Sequence, residues 1–296
     1  MGLSRLIFVT GKGGTGKSTL SAALAVALTR RHGRCALTDL GGQLSAARMI
    51  GLAGRPDLPN PPTFAGAPEV LAISRRTELE AFIKRIVPLT SISNRMLKSR
   101  TFGYVTAAVP GLEAFLLMER LRMMAGDAAL KNYYVVADGP ASGNAIEMLS
   151  VAAGLREMAP LGKLNRLASG VEELTADANR FGVVITATPE ELAVREALEC
   201  AHRLAQLRIT RTIMLLNCAV APLFTTPEIG RLRKLDGHRE LAARRRELAD
   251  RTDEARLKLK QTGLPLIESP MLFRTELQVD DIISLATELE GLLDLE

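Results

Sequence analysis

The residues best suited to do chemistry lie near the start of the chain, between an apolar run and a helix-forming segment. Residues 6–10 (LIFVT) are followed by the Gly-rich stretch GKGGTGKST, residues 11–19. Its spacing from Gly11 to Ser18 fits the phosphate-binding pattern G-x-x-x-x-G-K-[ST]. Glycines let main-chain N–H groups approach an anion closely, and the N-terminus of the following helix adds positive charge. The pattern predicts a nucleotide phosphate site; a glycine-rich turn without a ligand is the alternative.

Two side chains at the end of this pattern are expected to act directly. Lys17 would reach the β- and γ-phosphates of a nucleotide, and the Ser18 hydroxyl would hold Mg²⁺. The preceding strand and the following helix are the context in which this pattern binds phosphate. The pattern thus predicts ATP and Mg²⁺ as cofactors.

Two aspartates follow apolar runs that are predicted to be strands. Asp39 comes directly after residues 34–38, and Asp138 ends the run of residues 133–138. In an open parallel sheet, ligands bind beyond the carboxyl ends of the strands. We therefore expect both carboxylates near the nucleotide, with Asp138 orienting a Mg²⁺-bound water. For Asp39, a helix N-cap or a turn residue is the alternative role.

Short apolar runs alternate with helix-forming segments along the chain. This alternation predicts a predominantly parallel, doubly wound α/β sheet of the phosphate-loop NTPase kind, with helices on both faces. The predicted strands cover residues 6–10, 34–38, 70–73, 133–138, 182–187, 211–216 and 264–267. We expect a single domain over residues 1–296, with a helical insertion over approximately 69–130.

Turn and cap residues set the expected boundaries of several elements. Gly33 is expected to end the first helix as its C′ residue. Residues 139–144 are expected to turn away from the preceding strand before a helix begins. Thr188 and Pro189 are expected to be the N-cap and the first residue of a later helix. The last helix is expected over residues 277–293.

The composition predicts that the cysteines are reduced thiols and that no segment spans a membrane. The chain has 296 residues, of which 47% are hydrophobic and 24% charged. No apolar run approaches the roughly 18 residues of a membrane span, and we expect no signal peptide because the chain leads directly into the phosphate pattern. Three cysteines and three histidines are scattered along the chain. We therefore expect no zinc site and a cytoplasmic location.

One segment accounts for the net charge of +5. Residues 231–260 contain eleven Lys or Arg and six Asp or Glu. They are predicted to form a long solvated helix whose leucines make a narrow apolar stripe. A solvated face is favoured over a patch for anionic lipid or nucleic acid. The lack of interleaved aromatic residues disfavours nucleic acid, while transient membrane association stays open.

Methionines are concentrated in the first half of the chain. Seven of the ten fall between Met49 and Met158, with Met118, Met123 and Met124 on one predicted helix. Methionine side chains suit a promiscuous apolar groove, and they also fill irregular cores. The core interpretation is slightly favoured.

The phosphate pattern contains a second lysine, Lys12, directly after its first glycine. The stretch GKGGTGKST resembles the deviant phosphate loop of SIMIBI-type ATPases, which include the MinD/ParA proteins, the nitrogenase iron protein and the ArsA/GET group. In these families the extra lysine reaches across a dimer interface to the partner's nucleotide. The resemblance therefore implies a homodimer; a solvated surface lysine is the alternative.

Further stretches resemble the ArsA/GET family of anion-transporting or tail-anchored-protein-targeting ATPases more than MinD or ParA. Residues 38–45 (TDLGGQLS) resemble its switch I, and residues 138–149 (DGPASGNAIEML) resemble its switch II. Residues 110–113 (PGLE) resemble the start of a helix in its inserted subdomain. Residues 188–190 (TPE) and the strand ending at Asn217 match its later nucleotide-binding region. The resemblance spans nearly the whole chain.

The resemblance implies a role for each matching residue. Asp39 would position the attacking water, and Asp138 would be linked to Mg²⁺, together with Ser18. Asn217 would contact adenine, and Pro270 lies in a segment that resembles the loop closing over the base. The phosphates would be bound by Gly13, Gly14, Thr15, Gly16, Lys17, Ser18 and Thr19. With Asp39, the catalytic residues would be Lys12 and Lys17.

Both switch segments depart from the family pattern. Switch I has residues 40–43 (LGGQ) in place of P-A-H-N, and switch II has Asn144 in place of the usual histidine. Gln43 and Asn144 cannot protonate, although they can orient water through hydrogen bonds. Slow hydrolysis or altered coupling is therefore expected. The single phosphate loop and the missing C-x-x-C argue against arsenite transport.

The resemblance implies a Mg²⁺-dependent, dimeric ATP-hydrolysing switch whose nucleotide state controls binding of a hydrophobic or membrane-protein client. Two alternatives stay open. One is a nucleotide-gated binding module with weak hydrolysis. The other is a MinD/ParA-like spatial organiser acting on a membrane or on DNA.

Overall fold

A parallel sheet forms the centre of the molecule. The computed structural model describes residues 4–41, 44–51, 64–73, 75–86, 111–126, 133–232 and 237–292. Within them the strands are β1 (Leu6–Gly11), β2 (Cys35–Asp39), β3 (Glu69–Ala72), β4 (Tyr134–Ala141), β5 (Phe181–Ala187), β6 (Thr212–Ala219) and β7 (Leu266–Pro270). They lie in the order β3-β2-β4-β1-β5-β6-β7, and every neighbouring pair is parallel. The predicted α/β class and parallel sheet are confirmed.

Helices connect the strands. In the described residues they are α1 (Lys17–His32), α2 (Ser45–Met49), α3 (Arg75–Ile86), α4 (Leu112–Gly126), α5 (Ser142–Met158), α6 (Lys163–Ala176), α7 (Glu191–Gln206), α8 (Thr226–Arg231), α9 (His238–Lys260) and α10 (Val279–Leu292). No described helix combines the length and the apolar character needed to cross a bilayer. The first helix ends as predicted, because Gly33 has a left-handed φ of 83° and donates to the Thr29 carbonyl.

Alternate residues of the central strand enter two separate cores. Ile7 and Val9 pack on one face of the sheet in a cluster that includes α1 and α10. Leu6 and Phe8 pack on the opposite face, in a cluster that includes α4 to α7 and part of α9. Both faces of the sheet are therefore covered, which is why the four residues from Leu6 to Val9 are all apolar.

The predicted turn after Asp138 is wrong. β4 continues to Ala141, which pairs with Gly11, and α5 begins at the next residue. The hydroxyl of Thr10 donates to the Pro140 carbonyl over 2.8 Å, and a Cβ at Gly139 would lie 2.6 Å from the Val9 carbonyl. The Gly-Pro dipeptide thus keeps β4 close beside β1 instead of turning the chain.

The predicted start of the helix after β5 is also wrong. The helix α7 begins at Glu191, with Glu190 as its extended N-cap residue and without a side-chain capping bond. Thr188 and Pro189 lie before it. A capping box does occur at α8, where Thr225 and Glu228 each accept from the other's main-chain N–H. The T-x-x-E spacing of these two residues is a sequence signal for that cap.

The basic segment differs from its predicted form. Its described residues form the end of α8 and all of α9, and residues 233–236 lie outside the description. Leu241 was expected in the apolar stripe but is 66% exposed, and Leu248 is only half-buried. The residues that α9 buries are mostly small: Ala242, Ala249, Thr252, Ala255 and Leu259. Small side chains let α9 approach its neighbours closely, so the predicted leucine stripe is wrong.

Two helices fall within the predicted insertion of residues 69–130. Phe82 of α3 and Phe115 of α4 meet edge to face, with ring centroids 6.2 Å apart. Met118 and Met124 are buried, whereas Met123 is 36% exposed. The insertion as a unit stays a prediction, because residues 87–110 and 127–132 lie outside the described residues, as do residues 42 and 43 of the predicted switch I.

Candidate nucleotide-binding site

The predicted phosphate-binding residues lie in a loop at the carboxyl edge of the sheet, between β1 and α1. Gly11 and Gly16 have φ values of 149° and 84°. A Cβ at Gly11 would lie 2.2 Å from the Thr186 carbonyl, and one at Gly16 would lie 2.3 Å from the Asn217 amide nitrogen. These two positions therefore require glycine both for their φ and for the space around them. Residues 13–16 belong to the loop, and residues 17–19 form the first turn of α1.

The two lysines of the loop meet at one main-chain oxygen. The Nζ of Lys17 donates to the Lys12 carbonyl over 3.2 Å, and the Thr15 hydroxyl donates to the same carbonyl over 2.8 Å. Burial lowers the pKa of Lys17, and the nearby charge of Asp138 opposes that shift. Lys17 thus sits over the loop, while the half-buried Lys12 contributes its carbonyl to the loop's closure.

Asp138 lies against the start of α1. Its carboxylate accepts from the Ser18 hydroxyl over 2.6 Å and from the Ser21 hydroxyl over 3.3 Å. Burial raises the pKa of Asp138 to about 6, and the charge of Asp39 adds to the rise. The hydrogen bonds from the two serines and the charge of Lys17 favour the ionised form instead. Ser21 was missed at the sequence level, although its i+3 spacing from Ser18 places both on one helix face.

Asp39 is the register partner of Asp138 on the neighbouring strand. It is buried, and its carboxylate accepts from the main-chain N–H of Gly41 over 2.6 Å and of Ser45 over 2.8 Å. Because Ser45 is the first residue of α2, these contacts tie Gly41 and the start of α2 to the carboxyl end of β2. They are the contacts expected of a turn residue, made by a carboxylate that also lies beside Asp138.

The predicted base-binding residues come from the other side of the loop. The Asn217 side chain donates to the Thr15 carbonyl over 3.0 Å, and its remaining amide N–H and oxygen can still bond to a base edge. Pro270 pairs with Ala219 at the carboxyl ends of β7 and β6. β6 runs past Asn217, which was its predicted end, through an irregularity at which Cys218 has a left-handed φ of 57°.

The oxygen atoms of this site suit a hard divalent cation. Ser18 supplies a hydroxyl and Asp138 a carboxylate, with Asp39 adjacent, and Mg²⁺ is typically bound through one or two carboxylates together with substrate phosphates and waters. Among the described residues, no three His, Cys, Asp or Glu side chains come together as a metal site. A cation here would therefore depend on Ser18 and on the nucleotide.

Comparison with known proteins identifies a family whose sequence pattern this chain matches. Residues 6–221 match the family described as the CobQ/CobB/MinD/ParA nucleotide binding domain. The ATPase BagA of Mycobacterium tuberculosis (strain ATCC 25618 / H37Rv) is 27% identical over 223 residues, which are 72% of this chain and 64% of BagA. A protein of Mycobacterium bovis, Mb3704, whose name also describes an ATPase, gives the same figures.

The match to these curated relatives covers less than two thirds of their own length. The match to the family covers most of this chain, including the phosphate loop, both aspartates and Asn217. With its parallel sheet and its loop at the carboxyl edge, the chain therefore belongs to the CobQ/CobB/MinD/ParA family of P-loop nucleotide-binding domains.

Proposed function

We propose that this chain is a Mg²⁺-dependent ATPase of the ArsA/GET type, which works as a homodimer and couples its nucleotide state to binding of a hydrophobic or membrane-protein client. One observation carries the ATPase part. Asp39 at the end of β2 is the register partner of Asp138 in neighbouring β4, and Asp138 is bonded to the Ser18 hydroxyl of the phosphate loop. Two carboxylates and a hydroxyl beside an anion-binding loop are the groups that phosphoryl transfer to water requires.

The contacts described above indicate what each residue does in the proposed reaction. Lys17 exchanges the Lys12 carbonyl for a phosphate oxygen, and the main-chain N–H groups of the loop donate to the remaining oxygens. Ser18 and Asp138 would hold the cation, which would neutralise charge on the phosphates when bound. Asp39 orients the attacking water in line with the scissile bond. Asp39 accepts one main-chain N–H at each carboxylate oxygen, from Gly41 and from Ser45, and each oxygen has a second lone pair that can accept from the water.

The dimer and the client are supported by resemblance more than by contacts. Lys12 is the residue proposed to act across the dimer, and its side chain is only half buried. Burial of Met118 and Met124 favours the core interpretation for these two, and leaves Met123 as the methionine of α4 that offers apolar surface. Light scattering with ATP and Mg²⁺ tests the dimer: the wild type should double in mass, and Lys12→Ala should not.

The enzyme assignment is tested by phosphate release and ATP binding in three variants. Lys17→Ala should lose both. Asp39→Asn should keep binding but lose at least about tenfold in turnover, because it no longer orients water. Lys260→Ala, an exposed lysine at the end of α9, is the matched charge-removal control and should behave as wild type. Wild-type turnover in Asp39→Asn would overturn the role given to Asp39.

A MinD/ParA-like spatial organiser is the second candidate, because the matched family includes MinD and ParA. It predicts that Arg-rich α9 binds DNA or anionic lipid. Unchanged mobility with DNA and with anionic liposomes at low salt would remove this candidate. A nucleotide-gated module with weak hydrolysis is the third, favoured by exposed Asn144 at the switch II position. Turnover well above background at saturating ATP would count against it.

A further inference from the structure

Three buried threonines lie behind the phosphate-binding loop, and one of them is far from the predicted site in sequence. Thr10, Thr15 and Thr186 are each at most 1% exposed. The hydroxyls of Thr15 and Thr186 are 2.7 Å apart. The Thr15 hydroxyl is also 2.8 Å from the Lys12 carbonyl, and the Thr186 hydroxyl is 3.1 Å from the Thr10 carbonyl. Thr186 stands in β5, directly beside β1.

These three contacts need more hydrogens than the two hydroxyls possess. Each hydroxyl has one hydrogen to donate, and two oxygens at 2.7 Å need a hydrogen between them. The two shortest contacts are satisfied together when Thr186 donates to Thr15 and Thr15 donates to the Lys12 carbonyl. In the opposite direction Thr15 donates to Thr186, and the Lys12 carbonyl loses its hydroxyl donor. The direction of one buried hydrogen bond therefore decides whether the Thr15 hydroxyl reinforces the contact that the Thr15 main-chain N–H makes with the Lys12 carbonyl over 3.4 Å.

The direction of this hydrogen bond matters once Lys17 binds a phosphate. Lys17 and Thr15 both donate to the Lys12 carbonyl through their side chains. Under the proposed function, Lys17 leaves that carbonyl for a phosphate, and the Thr15 hydroxyl and the Thr15 main-chain N–H remain to hold the loop, the hydroxyl with the shorter contact. We propose that Thr186 is a positioning residue for the phosphate-binding loop: it directs the Thr15 hydroxyl to the Lys12 carbonyl and so keeps the loop's N–H groups aimed at the phosphates. This inference rests on the proposed nucleotide site.

The test removes the hydroxyl of Thr186 and then restores it. Thr186→Val keeps the shape without a donor, and Thr186→Ser returns the donor. Thr212→Val is the matched control, because Thr212 is a buried strand threonine at the opposite end of neighbouring β6. Two readouts are compared: hydrogen exchange of the amides of residues 12–16 without nucleotide, and Kd for ADP and ATP by calorimetry. Thermal unfolding of each variant verifies that it is folded.

Thr186→Val should exchange its loop amides faster and bind ADP and ATP about tenfold more weakly, the scale of one lost hydrogen bond. In turnover, KM should rise while kcat stays close to wild type. Thr186→Ser should restore exchange and affinity, and Thr212→Val should match wild type in both. If Thr186→Val does not fold, Thr15→Val removes the other hydroxyl of the same bond and should speed up exchange of the same amides.

Wild-type exchange and affinity in Thr186→Val would overturn the inference, as would failure of Thr186→Ser to restore them or equal losses in Thr212→Val. Failure of the proposed function looks different. In that case the wild type itself binds neither nucleotide, while the exchange measurement still decides whether Thr186 positions the loop.

Discussion

The Nδ2 amide of Asn217 donates to the main-chain oxygen of Thr15 over 3.0 Å, although 202 positions separate the two residues in the chain. The side chain proposed to contact the base therefore also fixes the phosphate loop. We expect Asn217→Ala to weaken ATP binding by at least about tenfold, because one buried hydrogen bond and one base contact are lost together. Calorimetric titration measures this. Asn165→Ala, which removes a similar amide bond to the Ala159 carbonyl near the start of α6, should leave affinity unchanged.

Alanine substitutions at Gly14 and Gly16 separate the cost of left-handed backbone strain from the cost of a steric collision. Their φ values are +87° and +84°, but only a Cβ at Gly16 meets an obstacle, the Asn217 amide at 2.3 Å. We expect Gly14→Ala to cost about 1–2 kcal/mol of left-handed strain in the free energy of unfolding, and Gly16→Ala to cost more. Urea unfolding without nucleotide measures both.

The double variant Gly16→Ala/Asn217→Ala isolates the collision, because it removes the obstructing amide. We expect it to be more stable than the sum of the two single changes predicts. Equal losses in Gly14→Ala and Gly16→Ala, or simple additivity in the double variant, would contradict a collision at Gly16.

Arg256 joins the basic helix to the strand that ends at Pro270. Its guanidinium donates to both carboxylate oxygens of Glu268 in β7 and to Asp253 one turn earlier in α9. We expect Arg256→Met to lower the free energy of unfolding by about 1 kcal/mol, allowing for solvent screening. Arg251→Met removes a more exposed pair with Glu247 within α9 and should have little effect. Thermal and urea unfolding compare the two, and equal losses would count against the cross-link.

The raised pKa of Asp138 predicts a pH dependence of stability. The folded value is about 6 against an ordinary value of 3.8, so the folded chain binds more protons than the unfolded chain between these values. The group therefore stabilises the fold at low pH, and this contribution is lost as the pH rises through about 6. Urea unfolding without nucleotide or Mg²⁺ should show wild-type stability falling relative to Asp138→Asn, by at most about 1.4 kcal/mol per pH unit. A wild-type stability that rises relative to that of Asp138→Asn as the pH increases from 3.8 to about 6 would contradict the shift.

The sequence alone predicts the parts of the site that are encoded locally. The spacing from Gly11 to Ser18 indicates the loop, and the apolar runs before Asp39 and Asp138 place both carboxylates at one edge of the sheet, where the structure has them. The same short-range pattern also indicates which segments form strands and in what order they follow along the chain. These features need no knowledge of which distant segments meet.

The rest depends on contacts between distant segments, which local patterns do not encode. Residues 139–141 are expected to turn because Gly-Pro is a turn signal, yet they extend because β1 accepts them as a partner. Thr186 carries no local sign of a role at the loop, since its partner Thr15 is 171 positions away. On α9, three alanines and Leu259 are buried while Leu241 is exposed, because contacts with distant segments decide which face of the helix is covered.

The position of β1 in the sheet has a consequence for biosynthesis. β1 pairs with β4 on one side and β5 on the other, so Leu6 meets Val135 and Phe181. During translation β1 emerges before both of its neighbours, and the loop that follows it lacks Thr186 and Asn217 until late. A nascent chain that ends before Phe181 therefore holds the lysines and glycines of the loop without the scaffold that shapes them. A nucleotide bound at this loop can assist the folding of the chain only after the ribosome has passed β6.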